Sequence, residues 1–246
     1  MELQLLPDER LDDLQLGHMK IIQKTKGFRF GMDAVLLSDF AAIKPYHTVA
    51  DFGTGTCILP LLLLGREKGS RFYAIELQPQ IADMAQRTVA MNQLEDKISV
   101  HAVSVEQCHQ VIAPGSLDDI ICNPPYGMPG TTLLNPMEER SVARHQTEEG
   151  LLGWFKQAHR LLKGKGRLFM IYPAPRMLEV MNLLTRAHLE PKRIRAIHPY
   201  AHKAANLVMI EAMKDARPML TIDPPLIVYH PDGSMTDELK RIYGNE

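Results

Sequence analysis

The chain has 246 residues, 45% hydrophobic and 23% charged, with a formal net charge of −1, values typical of one large globular domain and not of a disordered or fibrous chain. Cys57, Cys108 and Cys122 form no CxxC pair, which argues against a disulfide framework and against a cysteine-based zinc site. The longest apolar run, 58–64, is far shorter than a membrane span, and the acidic first residues lack the apolar stretch of a secretory signal, so we expect a cytoplasmic protein.

The predicted elements alternate along the chain. The first 32 residues read as an N-terminal extension with a short extended or hairpin segment, residues 33–217 as the main domain, and residues 218–246 as a C-terminal appendage whose packing the sequence leaves open. Apolar runs predict seven strands at 48–52, 71–76, 98–103, 118–122, 167–172, 193–197 and 206–211. Helical patterns fall at 33–43, 57–65, 79–92, 149–162 and 175–187. This alternation predicts an α/β fold, with a mostly parallel sheet covered by helices on both faces.

A glycine-containing turn follows the first of these strands. In the stretch DFGTGTC, Asp51 ends the strand, and Gly53 and Gly55 allow the backbone to turn tightly and approach a ligand. Glu76 ends the next strand, where a carboxylate can accept both hydroxyls of a ribose. Asp51 would repel a pyrophosphate but attract an amino group, which favours S-adenosylmethionine over NAD. The alternative is a tight turn between a strand and a buried helix with no ligand.

The stretch CNPPYG follows the fourth strand, and its prolines end the strand because they lack backbone N–H groups. The side-chain oxygen of Asn123 and the carbonyl of Pro124 can accept both N–H bonds of a planar amine, which makes its nitrogen more nucleophilic. Pro125 would fix the turn, and Tyr126 would stack on the target ring. Such positioning needs no metal, and we expect none. The alternative is an ordinary proline turn.

Together, DFGTGTC, Glu76 and NPPY resemble the class I S-adenosylmethionine-dependent methyltransferases that methylate amino groups, which implies a Rossmann-like seven-stranded fold. The NPPY motif is shared by adenine-N6 methyltransferases of DNA and RNA and by glutamine-N5 methyltransferases of release factors. Residues 27–40 and the ARHQ stretch at 143–146 resemble the bacterial tRNA1(Val) adenine-N6 methyltransferases. That resemblance runs to about residue 212 and implies methylation of adenine 37, beside the anticodon.

Two positions depart from the pattern usual in that group. Cys57 stands where a glycine is usual, and it fits if the backbone there is helical. Val103 stands where an aspartate would accept the adenine amino group of the cofactor, and Ser104 or Glu106 could substitute for it. We therefore assign Val103 and Ser104 to the adenine end of the cofactor site. These departures also leave open a non-catalytic RNA-binding protein on the same fold.

Candidate RNA contacts come from aromatic and basic residues. Residues 160–217 contain 12 Lys/Arg and 4 Asp/Glu, a net charge of +8, which indicates a phosphate-binding surface or an ordinary solvated one. The predicted contacts are Phe28, Arg29, Arg144, His145, Lys192, Arg193, Arg195 and Lys203. The expected partner is tRNA, with no membrane. The sequence does not fix the oligomeric state, and we take a monomer as the working expectation.

Overall fold

The structure is a computed structural model that describes residues 5–25, 31–124 and 148–244. Its helices are α1 (Met32–Phe40), α2 (Ile58–Gly65), α3 (Pro79–Met91), α4 (Glu148–Leu161), α5 (Met177–Arg186) and α6 (Asp237–Tyr243). Its strands are β1 (Glu9–Asp13), β2 (Lys20–Lys24), β3 (Thr48–Phe52), β4 (Arg71–Glu76), β5 (Ile98–Ala102), β6 (Leu117–Cys122), β7 (Leu162–Pro173), β8 (Leu189–Tyr200), β9 (Leu207–Lys214), β10 (Thr221–Ile222) and β11 (Leu226–Tyr229). The seven predicted strands are β3 to β9, and the five predicted helices are α1 to α5.

The main sheet has nine strands in the order β10-β8-β9-β7-β6-β3-β4-β5, with β11 also paired to β8. Only β9 runs antiparallel to its neighbours. The predicted α/β class, the mostly parallel sheet and its seven strands are confirmed. Two short strands, β10 and β11, extend that sheet; they lie in the C-terminal appendage, whose packing the sequence left open.

Helices cover both faces of the sheet. One apolar cluster packs α1, α2, α3 and α6 against one face, and a second packs α4 and α5 against the other. The central strands β3 and β6 are buried along nearly their whole length, which explains their continuous apolar runs. The apolar sequence of α2 has the same cause, since six of its eight residues are buried.

The carboxyl ends of the parallel strands meet at one edge of the sheet. Strand β3 lies in the middle, with β4 on one side and β6 on the other. The chain therefore leaves β3 toward β4 and β5, and later returns to β6 and β7 on the opposite side. In open α/β sheets such a switch point forms a crevice for ligands.

Both terminal segments pack on this domain. The β1–β2 hairpin rests on α3, where the Ile22 amide donates to the Thr88 hydroxyl at 3.2 Å. The C-terminal segment pairs β10 and β11 with β8 and places α6 against α1. In the described parts of the chain, no helix is both long and apolar enough to cross a membrane.

Candidate functional site

The loop after β3 forms the floor of the crevice. The amides of Gly53 and Thr54 both donate to the Ile75 carbonyl at 2.9 Å, which ties the loop to β4. Gly53 and Gly55 have φ values of +73° and +57°, a backbone region that favours glycine. A Cβ on Gly53 would lie 3.1 Å from the Trp154 ring, so a side chain there would also press against that ring.

Asp51 lies beneath this loop and is fully buried. Within the described residues, neither of its carboxylate oxygens has a hydrogen-bond partner. Burial, opposed by the nearby Thr54 hydroxyl and assisted by the charge of Glu76, raises the pKa of Asp51 to about 7. A buried carboxylate without a partner is costly, so its retention here fits a ligand that brings a cationic amino group.

Glu76 sits at the end of β4 on the other side of the loop. Its Oε2 accepts from the Gly55 amide at 3.0 Å, and its Oε1 accepts from the Gln78 amide at 2.9 Å. Burial raises the pKa of Glu76, and these backbone amides oppose that shift. Each oxygen keeps a lone pair, so the fixed carboxylate can still accept hydroxyl groups.

Val103 and Ser104 follow β5, the strand beyond β4. Both are half-buried, and Ser104 precedes a 3₁₀ turn at Val105–Gln110 without a capping bond from its side chain. Their placement beyond Glu76 puts them beside the crevice. Cys57 is fully buried with φ +75° and ψ +25°, so its backbone is left-handed and not helical as the sequence analysis assumed.

Asn123 and Pro124 follow β6 on the opposite side of β3. Cys122 pairs with Phe52, so Asn123 begins level with Gly53. The Asn123 Oδ1 atom is buried without a partner among the described residues, and Pro124 is buried. The crevice thus brings Asp51, the glycines, Glu76 and Asn123 together. Of the other predicted residues, Pro125, Tyr126, Phe28, Arg29, Arg144 and His145 lie outside the described residues.

The sequence profile of the methyltransferase small domain family matches residues 33–190. The chain belongs to this family. A Haemophilus influenzae (Rd) protein named tRNA1(Val) (adenine(37)-N6)-methyltransferase is 31% identical over 154 residues, which cover 62% of this chain and 65% of that protein. A Porphyromonas gingivalis (ATCC 33277) protein of the same name is 28% identical over 206 residues, covering 81% of this chain and 80% of that protein. The match thus spans just under two thirds of the first relative.

Solved structures share the fold of this chain. A predicted O-methyltransferase from Agrobacterium tumefaciens superimposes with a TM-score of 0.69 at 20% identity, covering 87% of this chain and 96% of that one. A Streptomyces coelicolor geranyl diphosphate C-methyltransferase, solved with S-adenosyl-L-homocysteine, gives a TM-score of 0.53 at 16% identity, covering 74% and 78%. The Rossmann-like class I methyltransferase fold is confirmed, and S-adenosylmethionine is the cofactor expected with it.

The sequence analysis missed one residue of this site, Trp154 on α4. Its ring touches the loop at Gly53 and meets Phe52 edge-on, with 6.2 Å between the ring centroids. It is the single tryptophan of the chain and lies on the apolar side of a helical pattern. This pattern predicts that the side chain is buried, but it does not predict which loop the ring contacts. Among the described residues, no cluster of three or more His, Cys, Asp or Glu side chains could hold a metal ion.

The basic residues predicted on β8 have partners within the chain itself. Arg193 donates to Glu211 at 3.0 Å, to Asp223 at 3.2 Å and to the Phe40 carbonyl at 2.8 Å. Arg195 donates to the Pro224 carbonyl at 2.9 Å and to Glu238 at 2.8 Å.

The other two basic residues predicted there differ in position. The Lys192 ammonium donates to the Arg217 carbonyl at 3.0 Å. Lys203 lies exposed in the turn after β8, at the same edge of the sheet as Asn123.

Proposed function

We propose that this protein is an S-adenosylmethionine-dependent methyltransferase that methylates N6 of an adenine in tRNA, with adenine 37 of tRNA1(Val) as its target. The observation that carries the proposal is the Asn123 Oδ1 atom, a buried acceptor without a partner among the described residues, beside the crevice that holds Asp51. The protein would act in the cytoplasm, where its substrate is, and as a monomer.

The cofactor would lie across the carboxyl ends of β3, β4 and β5. The Asp51 carboxylate would bind the amino group of the cofactor, and the Glu76 carboxylate would accept hydrogen bonds from its ribose hydroxyls. The backbone at Gly53 and Gly55 would approach the cofactor closely. When bound, S-adenosylmethionine would supply an electrophilic methyl group and leave as S-adenosylhomocysteine, and the methylated amine would lose its extra proton to solvent.

The chain's own contribution is to hold the adenine amine. The Asn123 Oδ1 atom and the Pro124 carbonyl would accept its two N–H bonds, which draws the nitrogen lone pair out of the ring. Because an adenine within paired or stacked RNA cannot reach this pocket, the base would leave its stack to react. Pro125 and Tyr126 would complete the pocket as the sequence predicts.

The choice of tRNA over a protein or DNA substrate rests on the relatives. Both relatives described above are named for adenine 37 of tRNA1(Val), and the resemblance extends through segments on both sides of the catalytic motif.

The test is methyl transfer from labelled S-adenosylmethionine to total tRNA, to DNA and to a protein extract, followed by mass spectrometry of the nucleosides and of glutamine. We expect N6-methyladenosine in one tRNA species. Label in protein glutamine alone would overturn the proposal and move the chemistry to a glutamine-N5 methyltransferase. If calorimetry shows cofactor binding but none of these molecules is labelled, the proposal that tRNA is the substrate is wrong.

A further inference from the structure

The carboxyl end of β8 projects past the rest of the sheet beside the active site. Strand β8 pairs with β9 as far as Ile197 and then continues to Tyr200. Over these last residues its partner is β11, with Ile227 opposite His198 and Tyr229 opposite Tyr200. The C-terminal segment therefore builds a two-stranded ribbon that stands above the edge where Asn123 lies.

Aromatic rings gather at the tip of this ribbon. The Tyr200 ring lies 5.8 Å from the Tyr229 ring and 5.7 Å from the His202 ring, centroid to centroid. Tyr229 packs against the core cluster, which supports the other two rings from behind. Both tyrosines are half-buried and His202 is exposed. In the described parts of the chain, neither tyrosine hydroxyl makes a hydrogen bond. We call Tyr200, His202 and Tyr229 the ribbon-tip cluster.

The charge around this cluster suits a polyanion. Lys203 is exposed in the adjoining turn, which is held by the Lys203 amide donating to the Tyr200 carbonyl at 3.0 Å and by a 2.7 Å hydrogen bond between His198 Nδ1 and the Lys203 carbonyl. Residues 198–206 contain no acidic residue. The nearby Asp232 is the single acidic residue of the 230–234 turn, and its Oδ1 atom accepts hydrogen bonds from the amide and hydroxyl of Ser234.

The strand register gives the distance from this cluster to the reacting adenine. Ile194 lies in the same row of the sheet as Cys122, through Ile210 and Met170. At about 4.8 Å per strand and about 3.3 Å per residue, Tyr200 lies roughly 20 Å from Asn123. Stacked nucleotides are spaced by about 3.4 Å, so this gap corresponds to roughly six stacked nucleotides, or fewer where the strand is extended.

We propose that the ribbon-tip cluster stacks on an unpaired base of the tRNA, a few nucleotides from the methylated adenine, while Lys203 contacts the adjoining phosphate. The inference rests on the proposed function. Single-stranded RNA is recognised by aromatic side chains that stack on splayed bases and by cations that follow the backbone. Two contacts this far apart would fix the direction of the strand and so select which adenine reaches Asn123.

The opposite edge of the sheet offers a matched control. Tyr46 is 69% exposed there, with the Lys44 ammonium 5.9 Å from its ring centroid and His47 against it. This group also has a tyrosine, a histidine and a lysine, but it precedes β3 and therefore lies away from Asn123. Substitutions there report the effect of losing an exposed aromatic ring or cation anywhere on the surface.

The experiment measures binding of an unmodified tRNA1(Val) transcript to the full chain by fluorescence anisotropy. We expect Tyr200→Leu to weaken binding by about 5- to 100-fold, the range for losing one stacked base, without changing cofactor affinity. Tyr200→Phe keeps the ring and should bind within about 2-fold of wild type, as should Tyr46→Leu. A Tyr200→Leu variant that binds as tightly as wild type would overturn the inference.

Salt dependence tests the phosphate contact. Lys203→Ala should lower the slope of log Kd against log salt by about 1, and Lys44→Ala should leave it unchanged. Equal slopes for Lys203→Ala and wild type would remove Lys203 from the contact.

If the wild-type protein methylates protein or DNA and no tRNA, the proposed function and this inference both fall. If it methylates tRNA while Tyr200→Leu is normal, only this inference falls.

Discussion

Single residues at the crevice carry buried polar atoms that the fold does not satisfy. Both oxygens of Asp51 and the Oδ1 atom of Asn123 are buried without hydrogen-bond partners among the described residues. Each such atom lowers the stability of the ligand-free protein, because on folding it loses its hydrogen bonds to water and gains no others. The two residues should therefore be more valuable to binding and catalysis than to folding.

Asp51 should make the stability of the cofactor-free protein depend on pH. Burial raises its pKa from 3.8 to about 7, so between these values the folded chain holds a proton that the unfolded chain has released. Stability from this group therefore falls as pH rises from about 4 to about 7, and stays low above that. We expect wild type to lose on the order of 2 to 3 kcal/mol more than Asp51→Asn between pH 5 and pH 7.

Urea denaturation at a series of pH values, without cofactor, measures this difference. If the free energy of unfolding changes with pH in the same way for both proteins, the pKa of Asp51 is not raised in the folded chain. Calorimetry completes the test: at pH 6, wild type should release a proton when S-adenosylmethionine binds, because the amino group favours the ionised carboxylate. Asp51→Asn should release none and should bind the cofactor at least about 10-fold more weakly.

Asn123→Ala should separate chemistry from cofactor binding. The variant lacks the acceptor that we propose orients the adenine amine, so we expect kcat to fall by about 10²- to 10³-fold or more, the loss typical of one preorganised group. Cofactor affinity should stay near wild type because Asn123 lies on the far side of β3 from Glu76. Single-turnover methylation and calorimetry measure the two quantities, and full activity in this variant would remove Asn123 from the mechanism.

Among the elements, the loop after β3 depends on glycine for two separate reasons at Gly53. A side chain there meets a φ of +73° and also the Trp154 ring at 3.1 Å. Gly115 provides a control, because its φ is +66° but nothing lies within 4 Å of its added Cβ. We expect Gly115→Ala to lower the free energy of unfolding by about 1 kcal/mol, and Gly53→Ala by about 2 to 4 kcal/mol.

Chemical denaturation of both variants measures that difference, and Gly53→Ala should also weaken cofactor binding since it displaces the loop. Equal effects at the two positions would mean that Trp154 moves aside freely. A Trp154→Leu background refines the result: the extra cost of Gly53→Ala should shrink toward the cost of Gly115→Ala once the ring is gone.

Elements also show what the sequence could predict. Strands β3 to β9, helices α1 to α5 and the glycine loop were predictable because periodicity, prolines and glycines act locally. The left-handed backbone of Cys57 was not, since nothing in the residue itself marks it. Along β8, Ile194 is buried and Arg193 is half-buried, as strand alternation allows, yet the partners of Arg193 are Phe40, Glu211 and Asp223, which are distant in sequence. Charge counting alone could not separate such a structural arginine from an exposed one.

For the whole molecule, Arg193 joins three parts of the chain. It bonds the end of α1 through the Phe40 carbonyl, β9 through Glu211 and the C-terminal segment through Asp223, and its guanidinium lies 4.0 Å from the Phe40 ring centroid. The C-terminal segment in turn supplies β11, which supports the ribbon-tip cluster. These contacts suit a role for Arg193 in holding the fold beneath the proposed RNA surface, while its own contact with RNA stays a prediction.

Arg193→Met should consequently affect stability more than tRNA affinity. Methionine keeps the apolar stem and removes the charged hydrogen bonds, and because the side chain is 28% exposed we expect a loss of only about 2 kcal/mol in the free energy of unfolding. Lys192→Met, which removes a single bond to the Arg217 carbonyl, should change stability by less than about 0.5 kcal/mol. Urea denaturation and tRNA binding at low denaturant measure both effects. If Arg193→Met keeps its stability and loses tRNA binding, Arg193 contacts RNA directly, as the sequence pattern suggested.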